Sequence, residues 1–167
     1  MRRFVIIACV ILGAYGCQPG LEETTAFAPL DETFFHCKVQ PLLTKSCSTY
    51  ACHGAMAEPR RYFTVFARNR LRIDSDLEAL NSELSEREKT YNYNSARAQV
   101  ELEDVDKSLL LIKPLDEAGG GYFHRGAEIF KLGDVYLTRD DLEYQVIEDW
   151  IRGEGSTAGC TDAGGAP

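Results

Sequence analysis

The sequence predicts a small, mainly α-helical domain with long loops, and three observations carry that expectation. Leu142, Val146, Ile147, Trp150 and Ile151 recur at helical spacing near the C-terminus. A second apolar set, Phe34, Phe35, Val39, Leu42 and Leu43, marks a helix near the N-terminus. Between them lie long polar stretches and a glycine cluster, Gly119-Gly120-Gly121, with no internal repeat.

The first residues have the order of an export signal. Arg2 and Arg3 precede an apolar run from Phe4 to Leu12, and small residues follow at Gly13, Ala14 and Gly16. Residues 1–16 therefore read as a secretory signal, with an apolar run too short to span a bilayer. Ala14-Tyr15-Gly16-Cys17 resembles the cleavage box of a bacterial lipoprotein, in which the cysteine becomes the lipidated first residue. That resemblance implies a chain anchored through Cys17 on the periplasmic face of a membrane in the bacterial cell envelope. It departs from the usual box at Ala14, where leucine is common, and at the bulky Tyr15. Ordinary cleavage after Gly16 would instead leave a soluble chain with a free Cys17. Cleavage ahead of Cys17 shortens the chain from 167 to 151 residues, one domain's worth, and takes its formal charge from −8 to −10 by removing Arg2 and Arg3. Such acidity argues against nucleic acid or an anionic lipid surface as partner and fits a redox partner protein with a basic docking surface, plain solubility being the alternative.

Element by element, residues 17–30 read as a tether without periodicity. A first helix is expected from Asp31 to Ser46, with a kink at Pro41. Residues 74–100 are polar and helix-prone, with Leu77, Leu80 and Leu84 at three- and four-residue steps. The charges across 76–107 read as a solvated face. A compact apolar run, Ser108 to Pro114, leads into the glycine cluster. The last helix is expected to start at Thr138, with Asp141 three residues on as a capping pair, and to stop at Gly153. The domain thus spans 31–153, and 154–167 reads as a loosely ordered tail.

The chemistry-bearing segment is Cys47-Ser48-Thr49-Tyr50-Ala51-Cys52-His53, a Cys-x4-Cys-His pattern. The common haem-attachment motif is Cys-x-x-Cys-His, and the longer loop is a variant known in some multihaem cytochromes. Two thiols must reach two vinyl groups on one side of the macrocycle. The residue after the second cysteine then lies below the iron, where its imidazole coordinates. Cys47 and Cys52 are accordingly the expected covalent attachment points of haem c, and His53 the proximal iron ligand. The alternative is a Cys47–Cys52 disulfide with His53 unused. With Cys9 in the signal, Cys17 lipidated and two cysteines on haem, Cys37 and Cys160 remain, and an exported protein would pair them.

Several segments are similar to planctomycete-type cytochrome c domains. Phe35 to Gly54, with Val39-Gln40-Pro41-Leu42-Leu43 ahead of the cysteines, resembles the start of such a domain. Leu71-Arg72-Ile73-Asp74-Ser75 resembles its Leu-Arg-Leu-Asp-Ser segment, and Ser108-Leu109-Leu110 with Lys113-Pro114 its Ser-Leu-Leu stretch. Asp149-Trp150-Ile151-Arg152-Gly153 resembles its closing Trp-Ile-x-x-Gly, so the matches run in order over about 34–153. The resemblance implies a cytochrome c-like helical domain whose terminal helices cross and touch, which suits a Cys37–Cys160 staple. Two departures stand out: the four-residue loop between the cysteines, and the lack of the Met-Pro-Pro segment that supplies a distal methionine. Met1 lies in the signal, and Met56 sits three residues from His53 on the same side. Where the Met segment would stand, the chain reads Gly119-Gly120-Gly121-Tyr122-Phe123-His124-Arg125-Gly126, and some related domains carry a His beside glycines here.

His124 is therefore the candidate distal iron ligand, and His36 reads as a packing or surface residue of the first helix. Tyr122, Phe123 and Phe130 are candidates for packing at the haem edge. Bis-histidine ligation implies a lower reduction potential than His–Met. The expected function is that of a membrane-anchored electron carrier rather than a catalyst, since no acid–base pair, nucleophile triad or phosphate loop shows. Two alternatives stay open. One is a haem-free, disulfide-stapled envelope lipoprotein with a binding or structural role. The other is a five-coordinate haem sensor or peroxidase-like site, which requires His124 off the iron.

Overall fold

A computed structural model of the chain describes residues 29–55, 63–74, 76–124 and 133–160. The expected export signal, Cys17, the expected tether to residue 28, Met56, Phe130 and residues 161–167 lie outside them. The described residues are mainly helical. Their one strand-like pairing is an isolated bridge between Leu115 and Tyr136, and none of their helices is long and apolar enough to cross a membrane.

The first helix, α1 (residues 32–46), begins at Asp31, whose carboxylate accepts the Phe34 N–H at 2.8 Å. It runs as α-helix over Glu32–Phe34, widens into a π turn over Phe35–Val39 and returns to α-helix over Gln40–Ser46. Pro41 explains the widening. Proline offers no N–H to the carbonyl four residues back, and its ring crowds that carbonyl. The Gln40 N–H reaches five residues back to the Phe35 carbonyl instead, so the disturbance expected at Pro41 takes the form of a π turn just ahead of it.

The polar stretch 74–100 divides into α2 (Leu77–Asn81) and α3 (Glu86–Arg97), the latter opened by a Ser85/Glu88 capping box. The leucine spacing does not mark a core face, since Leu77 is 79 % exposed. α3 instead buries Glu88, Asn92 and Ala96, so the expectation of a solvated face fails at Glu88. Its carboxylate meets the equally buried guanidinium of Arg72 at 2.8 Å. All five guanidinium N–H groups are used, on Glu88 and on the carbonyls of Ala79, Ser82 and Glu83. Burial alone would raise the Glu88 pKa. The bonds from Arg72, the Ile73 and Ser85 amides and the Ser85 hydroxyl outweigh it and hold the carboxyl at about 2.

Helix α4 (Leu109–Ile112) buries Leu110 and Leu111. The last helix, α5 (Leu142–Arg152), is capped by Asp141, which accepts the Glu143 N–H at 3.0 Å, and not by Thr138. Thr138 closes the preceding turn, its carbonyl taking the Asp141 N–H. The start moves because the inner face is Tyr144, Ile147, Trp150 and Ile151, while Leu142 is 78 % exposed. Gly153, in the left-handed region at φ 71°, ends the helix.

α1 and α5 pack through Phe35 and Trp150, whose ring centres lie 5.0 Å apart, and the Trp150 indole donates to the Asp31 carbonyl at 2.8 Å. Cys37 and Cys160 form the expected disulfide, with Cα atoms 5.6 Å apart and a sequence separation of 123. In the chain-entropy picture, closing so long a loop stabilises a domain by roughly 4–5 kcal/mol. The described part of the tail is thereby tied to α1, and the Glu154 and Gly155 amides both donate to the Asp149 carbonyl.

Candidate functional site

Cys47 follows directly on α1, its amide donating to the Leu43 carbonyl. From there the chain folds back on itself in a tight loop. The Cys52 and Gly54 amides donate to the Thr49 carbonyl at 2.9 Å, and the His53 amide donates to the Cys47 carbonyl at 3.0 Å. The buried Ser48 hydroxyl donates to the Thr44 carbonyl at 2.6 Å, and the Arg70 guanidinium donates to both Ser48 Oγ and that carbonyl. Gly54 is required by this closure: a Cβ there would lie 2.1 Å from the Ser48 carbonyl oxygen. The four intervening residues thus form an ordered loop between two thiols and an imidazole.

His53 is oriented from behind. Its Nδ1 lies 2.9 Å from the Phe63 carbonyl, which can only accept, so Nδ1 carries a proton and donates. The Val65 amide donates to the His53 carbonyl, and the Phe63 ring packs on the imidazole at 4.8 Å. Segment 63–67 is in turn clamped to α3. Asn92 accepts the Phe66 N–H at 2.8 Å and donates to the Phe66 carbonyl at 2.9 Å, and Ser95 Oγ accepts the Thr64 N–H. The buried polar face of α3 is therefore the wall that supports His53, with the Arg72–Glu88 pair at its base.

Cys47 and Cys52 stand as separate thiols. Burial, and then the neighbouring Cys52, pushes the Cys47 thiol up to about 12, so it is neutral at ordinary pH. Tyr136 is buried alongside: burial, and then Cys47, raises its hydroxyl pKa.

His124 lies in an irregular segment that leaves the glycine cluster. The Gly121 amide donates to the Asp116 carbonyl, and a Cβ on Gly121 would fall 1.8 Å from the Leu115 carbonyl oxygen, so only glycine allows this approach. The Tyr122 amide donates to the Ile112 carbonyl at 2.8 Å. The outcome is that His124 lies near His53, with ring centres 6.2 Å apart and planes stacked within 7° of parallel. Two imidazoles on opposite sides of one metal ion reach about 6.3 Å between centres, from metal–nitrogen bonds of about 2.0–2.1 Å and about 1.1 Å from nitrogen to ring centre. Among the described residues no three His, Cys, Asp or Glu side chains converge as a metal cage.

His36 takes no part. It lies on the π turn, with Nε2 3.3 Å from Glu32 and its ring against Phe35. Asn92, Ser95, Arg70 and Lys113, which support the two histidine segments, had no separate signal in the sequence, where each reads as an ordinary surface polar residue. Comparison of the chain with protein-family models, curated proteins and solved structures finds no match.

Proposed function

We propose that the chain is an exported, lipid-anchored c-type cytochrome with a cytochrome c-like fold, an electron carrier rather than a catalyst. Cys47 and Cys52 would hold haem c covalently, and His53 and His124 would bind its iron. The observation that carries this reading is the parallel pair of imidazoles at 6.2 Å, one of them next to the second cysteine of a Cys-x4-Cys-His loop. Haem supplies a one-electron iron couple, and filling both axial positions with imidazole makes electron transfer, rather than ligand binding, its chemistry.

The residues do the rest. The Phe63 carbonyl accepts from His53 Nδ1 and stiffens its ring, the usual outer support of a ligating histidine. Cys47 and Cys52 remain separate thiols available for thioether formation, whereas Cys37 and Cys160 are joined. Cys17 holds the domain at the membrane face, and the acidic surface steers it to a basic redox partner.

Export of the full chain in a host that matures c-type cytochromes tests this. The protein should retain haem on a denaturing gel, and its reduced spectrum should be low-spin without a methionine–iron band. Cys47→Ala with Cys52→Ala should abolish the haem stain, and His124→Ala should turn the iron high-spin and open it to carbon monoxide. Full staining of the double variant, or a wild type without haem, would overturn the proposal in favour of a haem-free lipoprotein. A wild type that is already high-spin would favour the five-coordinate sensor.

A further inference from the structure

We infer that Lys113 is a positioning residue for the distal ligand: its ammonium rivets the segment carrying His124 to the domain core and so governs how readily that imidazole leaves the iron. The inference rests on the haem reading above and goes beyond it by naming what controls access to the distal face. Lys113 caps α4, whose Leu110 and Leu111 are buried in the core. The next residue is pinned as well, since the Pro114 carbonyl accepts the Val135 and Tyr136 amides. The backbone under Lys113 is therefore rigid.

Its side chain reaches across to the ligand segment. Nζ donates to the Phe123 carbonyl at 2.8 Å, one residue before His124, and sits 4.3 Å above the centre of the Tyr122 ring. Core packing does little for this segment, because Tyr122 is 60 % and Phe123 45 % exposed. A surface lysine ordinarily keeps its rotamer freedom. Here one ammonium engages two consecutive residues, and the second is bonded directly to the ligand. An imidazole on a loose segment spends more time off the metal, and an external ligand enters in that time.

The test uses the full-length, haem-loaded lipoprotein in detergent. Lys113→Met keeps the length of the side chain and removes the donor and the charge; Lys113→Arg keeps both. After reduction with dithionite, carbon monoxide uptake by Lys113→Met should accelerate about tenfold, the factor that corresponds to about 1.4 kcal/mol. Lys113→Arg should restore the wild-type rate. Haem stain and unfolding temperature should be unchanged in both. A haem-loaded Lys113→Met protein with the wild-type uptake rate overturns the inference and leaves the haem reading standing, whether or not its unfolding temperature drops. A wild type without haem removes the premise itself.

Discussion

His53 and His124 stack with ring centres 6.2 Å apart, yet the chain holds them by different means. His53 closes a loop in which the Cys52, His53 and Gly54 amides are all spent on carbonyls a few residues back, and it leans on a segment clamped to α3 by Asn92 and Ser95. His124 follows two exposed aromatic residues in a segment whose described ties include a glycine turn, the Tyr122 amide and Lys113. Dense bonding over short sequence distances makes the His53 side rigid, whereas the described ties of the His124 segment lie at an exposed surface.

The largest expected effect comes from the base of the wall behind His53. Glu88→Gln leaves the Arg72 guanidinium buried without its counter-charge and should destabilise the domain by about 3–5 kcal/mol in denaturant titration. A loss near zero would mean that the wall does not depend on this pair. The same carboxylate makes a pH prediction. It titrates at about 2 when folded against 4.5 in an open chain, so its contribution is complete above pH 4.5 and lost as pH falls towards 2. On the order of 3 kcal/mol should disappear over that window, and Glu88→Gln should flatten the slope.

A smaller effect is expected at Asn92→Ala, which strips the Phe66 N–H and carbonyl of their partners and should cost about 1–3 kcal/mol. Carbon monoxide uptake should stay at the wild-type rate, because the His124 segment is untouched. An acceleration like that expected of Lys113→Met would erase the distinction between the two sides. The gentlest probe is amide hydrogen exchange: the His53 and Val65 amides should exchange more slowly than that of Tyr122, and equal protection would remove the contrast altogether.

The two terminal helices were legible because an apolar stripe signals a buried face directly, and Trp150 and Ile147 are indeed in the core. The Cys37–Cys160 pair was legible by inventory, since two cysteines were left without another use. The face of α3 was not. Glu88 and Asn92 at four-residue spacing look like solvent-facing residues until Arg72, sixteen residues earlier, and the Phe66 backbone are brought to them. The start of α5 was misplaced for a related reason, because Thr138 and Asp141 are both good caps and the burial of Tyr144 decides between them.

The sequence by itself determined the mainly helical class, the Cys-x4-Cys-His loop and the short choice of histidines, because these follow from residue type and near-neighbour spacing. Tertiary structure alone decided that His124, 71 residues after His53, would stand parallel to it at 6.2 Å. It alone decided, too, that a polar helix face would become the wall behind His53. Both depend on long-range closure: a buried hydrogen bond or a stacked ring pair forms only when packing removes water from between residues that local propensity cannot relate.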